Sequence, residues 1–225
     1  MKIDYREARA LLRSSHAGAL GTRSVSVPDY PFVSVVTFVV DGAGRPIFLI
    51  SGLAEHTRNL LADPRASLLV TEGRGTDLSQ ARLTLLGRAI PAALSELEVA
   101  RFLRYSPASE QYLQLGDFRF FRLEPERARF IGGFGRMGWI AATEPVWVVN
   151  PEEEAAILAR LERLAPIGVV VLGMDAEALD VRIAGVFRRL VFAEAVRDAA
   201  EIESASNEAL LRLDLPPSGE ASTFA

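Results

Sequence analysis

The stretch Pro46-Ile-Phe-Leu-Ile-Ser51-Gly-Leu-Ala-Glu-His56-Thr57-Arg58-Asn59-Leu60 sets the plan of the chain. Ile47 to Ile50 is an apolar run of strand length, Ser51-Gly52 breaks it, and a short helix follows with His56, Thr57 and Arg58 in its first turn. A helix start presents backbone N–H groups that lack intrahelical partners, together with a partial positive charge. A hydroxyl, an imidazole and a guanidinium beside it would complete a cradle for a phosphate. The same residues also read as a plain helix entry, with Ser51 as its cap and Arg58 as a solvated charge. Spacing alone leaves both readings open.

Upstream, Pro31-Phe-Val-Ser34-Val-Val-Thr37-Phe-Val-Val40 is β-branched and reads as the clearest strand of the chain. Asp41-Gly-Ala-Gly44 supplies turn residues that join it to Pro46–Ile50 as a hairpin. Residues 4–14 read as an amphipathic helix, with Asp4 and Glu7 as a capping pair ahead of Ala8, Leu11 and Leu12. His16 falls in the turn before a strand over residues 17–22, a connecting position rather than a ligand position.

Downstream, Asp63-Pro64 ends the helix, and residues 65–71 and 81–90 read as strands around a polar loop. Ser95 and Glu98 form a capping box for a helix to about Tyr105, and Ser106-Pro107 starts a second. Residues 118–123 and 128–131 read as a hairpin turning across Glu124-Pro125-Glu126. About six strands with few, peripheral helices favour a mainly β, antiparallel barrel over a doubly wound parallel sheet.

Gly132-Gly-Phe134-Gly135-Arg136-Met137-Gly138-Trp139 holds four glycines in seven residues, which implies unusual dihedrals or a close approach. Its Gly-x-Gly-x-x-Gly spacing is no dinucleotide fingerprint, because no amphipathic helix follows. Arg136 and Trp139 offer a cation and a stacking plane for a flat ligand, or Trp139 anchors the chain to the core. Around Pro145 to Pro151 the pattern changes to a helix with Ile157, Leu158, Leu161 and Leu164 on one face, three short strands, and a helix capped by Asp198. Arg188-Arg189 reads as an exposed charge pair there, and the Pro/Ser/Gly-containing end from Pro216 as disordered.

Across 225 residues the apolar share is 49%, the formal net charge is -4 and the pI is near 5.4. That balance gives no general reason to expect nucleic acid or anionic membrane as a partner. The absence of cysteine and the presence of only two histidines, His16 and His56, argue against a thiolate or all-protein metal centre. Redox chemistry would come from a bound cofactor. A charged N-terminus and no long apolar segment point to a cytoplasmic protein.

Taken together, Pro31-Phe-x-Ser34-Val-Val, Ile50-Ser51-x-Leu-Ala-Glu-His56-Thr57-Arg58-Asn59-Leu, Asp63-Pro-Arg-Ala-Ser-Leu-Leu and Gly132-Gly-Phe-Gly-Arg136 closely resemble the FMN-binding split-barrel superfamily of pyridoxamine-phosphate-oxidase-like proteins. The similarity covers residues 8–140 and lies with the haem-utilisation (HugZ-like) branch. It implies a six-stranded antiparallel split β-barrel over residues 1–144, a small α+β domain over 145–213 and a tail over 214–225. It also implies a homodimer with ligand sites at the subunit interface. FMN would lie along Ser34, Val35 and Val36, its phosphate held by Ser51, His56, Thr57 and Arg58, with Arg136 and Trp139 nearby. The function implied first is an FMN-dependent oxidoreductase acting on a small substrate. The alternatives are a haem-binding or haem-degrading protein using the same cleft, and a non-catalytic regulatory protein on this fold. Haem-degrading members carry a His-rich motif early in the second domain, and the matching stretch here, Leu161-Glu-Arg-Leu-Ala-Pro166-Ile-Gly-Val, has none. No general acid or base stands out.

Overall fold

The computed structural model describes residues 5–73, 77, 79–133, 135–141 and 148–213, and within it the β-branched run upstream of Ser51 breaks at a single residue, Phe38. The chain divides into two units, residues 1–151 and 152–225. The first runs α1 (Tyr5–Ser14), β1 (Ala17–Arg23), β2 (Pro31–Thr37), β3 (Val39–Val40), β4 (Pro46–Ser51), α2 (Glu55–Ala62), β5 (Arg65–Thr71) and β6 (Arg82–Pro91). It continues with α3 (Glu96–Tyr105), a 3-10 turn (Pro107–Ser109), α4 (Glu110–Leu113), β7 (Phe118–Ile131) and β8 (Met137–Ala141). The expected Asp4 cap lies outside the described residues.

The strands form one antiparallel sheet in the order β2-β1-β5-β6-β7-β4-β3, with β8 added on β7. Because β2 and β3 are two parts of one run, the sheet curls until its first and last strands meet at Phe38, whose N–H donates to the His16 carbonyl at 3.0 Å. The six expected strands are therefore β1, β2 with β3, β4, β5, β6 and β7, and β8 is additional. The hairpin from β3 into β4 forms as expected, with Val39 opposite Ile47 and Gly44 at a φ of 83°.

The hairpin expected across Glu124-Pro125-Glu126 does not form: Phe118–Ile131 is one 14-residue strand. Pro125 lacks the N–H that a ladder needs, and the sheet absorbs it in a bulge instead of a turn. Leu86 faces Arg127 and Gly87 faces Pro125, which leaves Glu126 as the extra residue. A Cβ on Gly87 would lie 2.1 Å from the Glu124 carbonyl oxygen, so glycine is what allows the approach. Past the bulge β7 changes one of its neighbours. It pairs with β6 over Phe121–Ile131, with β4 over Phe118–Arg122 and with β8 over Arg127–Ile131.

Side chains directly opposite in paired strands share a face, so the register sorts the sheet into rows. One row reads Ser34, Leu20, Leu68, Leu85, Ala128, Ile140 and is core, where Leu20, Leu68, Leu85 and Ala128 join Phe48, Phe121, Leu123 and Phe130. The neighbouring row reads Val35, Ala19, Leu69, Thr84, Arg129, Trp139 and faces outward. α1 packs Ala8 and Leu12 into the core. Phe102 of α3 packs with Val39, Ile47 and Leu49, covering the outside of β3 and β4. The expected capping box is present, with Ser95 and Glu98 bonding each other's backbone N–H.

The second unit contains α5 (Pro151–Leu164), β9 (Val169–Asp175), β10 (Ala178–Ile183), β11 (Val186–Val191) and α6 (Ala199–Leu211), with its strands ordered β11-β10-β9. Ile157, Leu158 and Leu161 are buried as the spacing predicts, whereas Leu164 is exposed. Asp198 caps α6 by accepting from the N–H groups of Ala200 and Glu201. Arg189 corrects the sequence reading: its side chain is 6% exposed, forked between Asp175 at 2.6 Å and Asp180 at 2.9 Å. Burial pushes its pKa down, but the two carboxylates more than reverse that and raise it. Residues 142–147, which include the start of the expected boundary at Pro145, and the expected tail over 214–225 lie outside the described residues.

Gly87→Ala should destabilise the protein by at least about 2 kcal/mol, because the methyl has only rigid backbone to displace; a lower urea midpoint with unchanged slope would show it. Arg189→Leu leaves two buried aspartates without their cation and should cost about 3–5 kcal/mol, read by the same titration.

Candidate functional site

Two surfaces of the first unit bring expected site residues together. The first is the entry to α2. Asn59, fully buried, accepts from the Val25 N–H at 2.9 Å and donates to the Thr22 hydroxyl at 3.0 Å. Glu55 is held below the usual carboxylate range by the Ser26 hydroxyl and by Arg58, with burial opposing. These bonds tie α2 to the β1–β2 loop, and they set His56 against β2. His56 Nδ1 lies 3.0 Å from the Ser34 hydroxyl, while Nε2 is enclosed and has no hydrogen-bond partner. Burial lowers the His56 pKa, which favours the neutral ring.

Several of the donors expected to hold a phosphate here already have partners within the chain. The Ser51 hydroxyl donates to Asp117 at 2.5 Å and accepts from the Leu53 N–H. Thr57 is buried, its hydroxyl donating to the Ser51 carbonyl at 2.7 Å. Arg58 pairs with Glu55 at 2.7 Å. The N–H groups of Gly52 and Ala54 go to the carbonyls of Asp117 and Ser51. Ser51 is not the helix cap either, since Ala54 holds that position without a side-chain bond.

The second surface is the outer face of the sheet. Val33 and Val35 on β2 are 64% and 79% exposed, and Leu69 extends the apolar strip onto β5. Val36 is buried on the opposite face, so Ser34, Val35 and Val36 do not line one surface with their side chains. At the far end of the Val35 row stands Trp139, 51% exposed. The Arg127 guanidinium lies 4.9 Å from its ring centroid and that of Arg129 5.8 Å, both within cation–π range. Trp139 is therefore a presented plane flanked by positive charge and not a core anchor. Arg136, the cation expected beside it, donates to the Gly132 carbonyl and pairs with Glu7. In the loop around it, Gly133 and Gly135 have φ values of 99° and 78°, the unusual dihedrals anticipated from their spacing, and Phe134 lies outside the described residues.

Sequence reasoning missed Asn59, Asp117, Arg127 and Arg129. The available signal for the last two was the Arg-x-Arg spacing on a strand, which puts both on one face. Their meeting with Trp139 depends on the β7–β8 register, in which Arg129 faces Trp139. Among the described residues no group of three or more His, Cys, Asp or Glu is placed to hold a metal ion, and no helix is long and apolar enough to cross a membrane.

A curled antiparallel sheet whose strand order closes through Phe38 is the split barrel of pyridoxamine-phosphate-oxidase-like proteins, here in the HugZ-like branch. The chain belongs to the family described as CREG, beta-barrel, whose model matches residues 4–147. It is 36% identical over 129 residues to the chloroplastic non-canonical haem oxygenase HOZ of Arabidopsis thaliana, a match covering 56% of this chain and 40% of that one. It thus spans less than half of HOZ. It is 31% identical over 159 residues to haem oxygenase HutZ of Vibrio cholerae, covering 67% of this chain and 85% of HutZ. Among solved structures, Atu2129 of Agrobacterium tumefaciens, of unknown function, superposes with a TM-score of 0.73 at 28% identity, covering 90% of this chain and 93% of that one. A haem-binding protein from Mycobacterium smegmatis superposes with a TM-score of 0.55 at 29% identity, covering 92% and 95%.

His56 gives a pH signature. The unfolded ring titrates near about 6.5 and the folded ring lower, so its contribution to stability is complete above about pH 6.5. As pH falls below that, the unfolded chain takes up a proton that the folded ring refuses, and stability declines through the folded pKa. Urea midpoints measured at stepped pH should fall less steeply over this window in His56→Gln than in the parent protein.

Proposed function

We propose that the protein binds haem on the outer face of the barrel, where a second copy of the chain packs, and acts in haem utilisation. The observation that carries this is the half-exposed indole of Trp139 with the guanidiniums of Arg127 and Arg129 against it. A porphyrin is a wide apolar plane with two carboxylates at one edge. The indole suits the plane, and planar guanidiniums suit carboxylates, which they bind in bidentate fashion. HutZ and the Mycobacterium smegmatis protein, both named for haem, support the reading, since each is matched over most of its own length.

The plane and the carboxylates of haem fit these residues, but the iron does not. Ser34, which holds His56, points to the core side of β2, away from Val35, and the free nitrogen of His56 is enclosed. FMN, the group implied first by the resemblance, asks more of the chain: the Ser51 and Thr57 hydroxyls would have to leave Asp117 and the Ser51 carbonyl. A dimer on this face accounts for valines that would otherwise stand in water on a strand with a single hydrogen-bonded neighbour in the sheet order.

Titrating the purified protein with haemin should produce a saturable Soret change. The double variant Arg127→Ala/Arg129→Ala should weaken binding by about tenfold or more, the worth of one or two charge-assisted hydrogen bonds. Unchanged affinity in that variant would exclude this face.

A further inference from the structure

The protein has two side chains of the type that most often ligates haem iron, and neither stands in the outward row that ends at Trp139. His56 reaches Ser34, whose row in the sheet is the core row of Leu20, Leu68 and Leu85. β2 itself therefore stands between the imidazole and the outward face of Val33 and Val35. Its Nδ1 is hydrogen-bonded, and its Nε2 is closed off from solvent. His16 sits in the turn between α1 and β1, its carbonyl accepting from Phe38 and its ring 6.4 Å from that of Tyr105 on α3. The outer face instead carries what recognises the organic part of the ligand: the Trp139 indole and the two guanidiniums beside it.

Resting on the haem reading above, we infer that this face recognises the tetrapyrrole and not its iron. Its ligands form the class of planar tetrapyrroles bearing carboxylates, metal-free as well as metallated, and no histidine of the 225 residues is an iron ligand. Affinity then comes from apolar burial of the ring plane and from guanidinium–carboxylate pairing. An iron–imidazole bond adds nothing to it.

The experiment titrates the full-length protein with haemin, zinc protoporphyrin and metal-free protoporphyrin, followed by tryptophan quenching and by the Soret band. The three dissociation constants should agree within about threefold, and Trp139→Ala should weaken all three together by about tenfold. The Soret maximum with ferric haem should be the same in the parent, in His16→Ala and in His56→Gln, a variant that keeps a partner for Ser34. Haemin binding at least about tenfold tighter than metal-free porphyrin, with a Soret shift lost in one histidine variant, overturns the inference and leaves the haem reading in place. Binding of none of the three overturns both. Binding that Trp139→Ala leaves intact places the ligand elsewhere and overturns the inference as well.

Discussion

The arrangement of the first unit rests on the contact between Gly87 and the Glu124 carbonyl. At that point β6 and β7 approach more closely than any side chain allows, and the proline next in sequence cannot donate to the ladder. The strain of accommodating Pro125 is taken up as one extra residue. With it, β7 continues for 14 residues instead of turning back. A strand of that length can serve two neighbours in succession, β4 before the bulge and β8 after it. The bulge shifts the alternation along β7, from Phe121 and Leu123 inward to Ala128 and Phe130 inward, which is what leaves Arg127 and Arg129 on the outer face.

The two faces of the sheet then divide the labour. Inward rows form an apolar core in which Phe48, Phe121, Phe130 and Leu68 are almost wholly removed from water. Outward rows are covered by α3 on the side of β3 and β4, and on the side of β2 they present valine to solvent. α2 contributes to both faces without presenting a cradle of its own. Its hydroxyls and first-turn cation satisfy groups of the same chain, and its buried Asn59 replaces backbone hydrogen bonding for the loop that joins β1 to β2. The N-terminus of a helix attracts anions only where its donors are unspent. Here a neighbouring aspartate has already engaged Ser51.

Local pattern made most of the elements legible. The β-branched run, the break at Ser51-Gly52, the Ser95 capping box and the Asp198 cap are all decided by residues within a few positions of one another. Glu124-Pro125-Glu126 was misread because a proline between acidic residues favours a turn locally, while the glycine that permits a bulge lies almost forty positions earlier. Arg189 was misread for the same reason, since its two aspartates belong to β9 and β10 and meet it only through strand pairing. Of the expected site residues, Ser34 and His56 do meet, and Trp139 is presented as a plane. Arg127 and Arg129 escaped notice because two arginines on a strand look like ordinary solvated charge until register sets a ring beneath them. Haem itself entered through similarity to known proteins and not through any residue pattern, because the chain lacks the histidines that would announce it.

The flanking of Trp139 by arginine reflects a wider bias: Lys2 is the chain's single lysine, and its 24 remaining basic side chains are all arginine. A guanidinium stacks on an indole and stays protonated far into alkali, whereas an ammonium does the first poorly and loses its proton sooner. A carboxylate-bearing guest held by guanidiniums would then be released by acid through its own protonation, and its affinity profile would double as its titration curve.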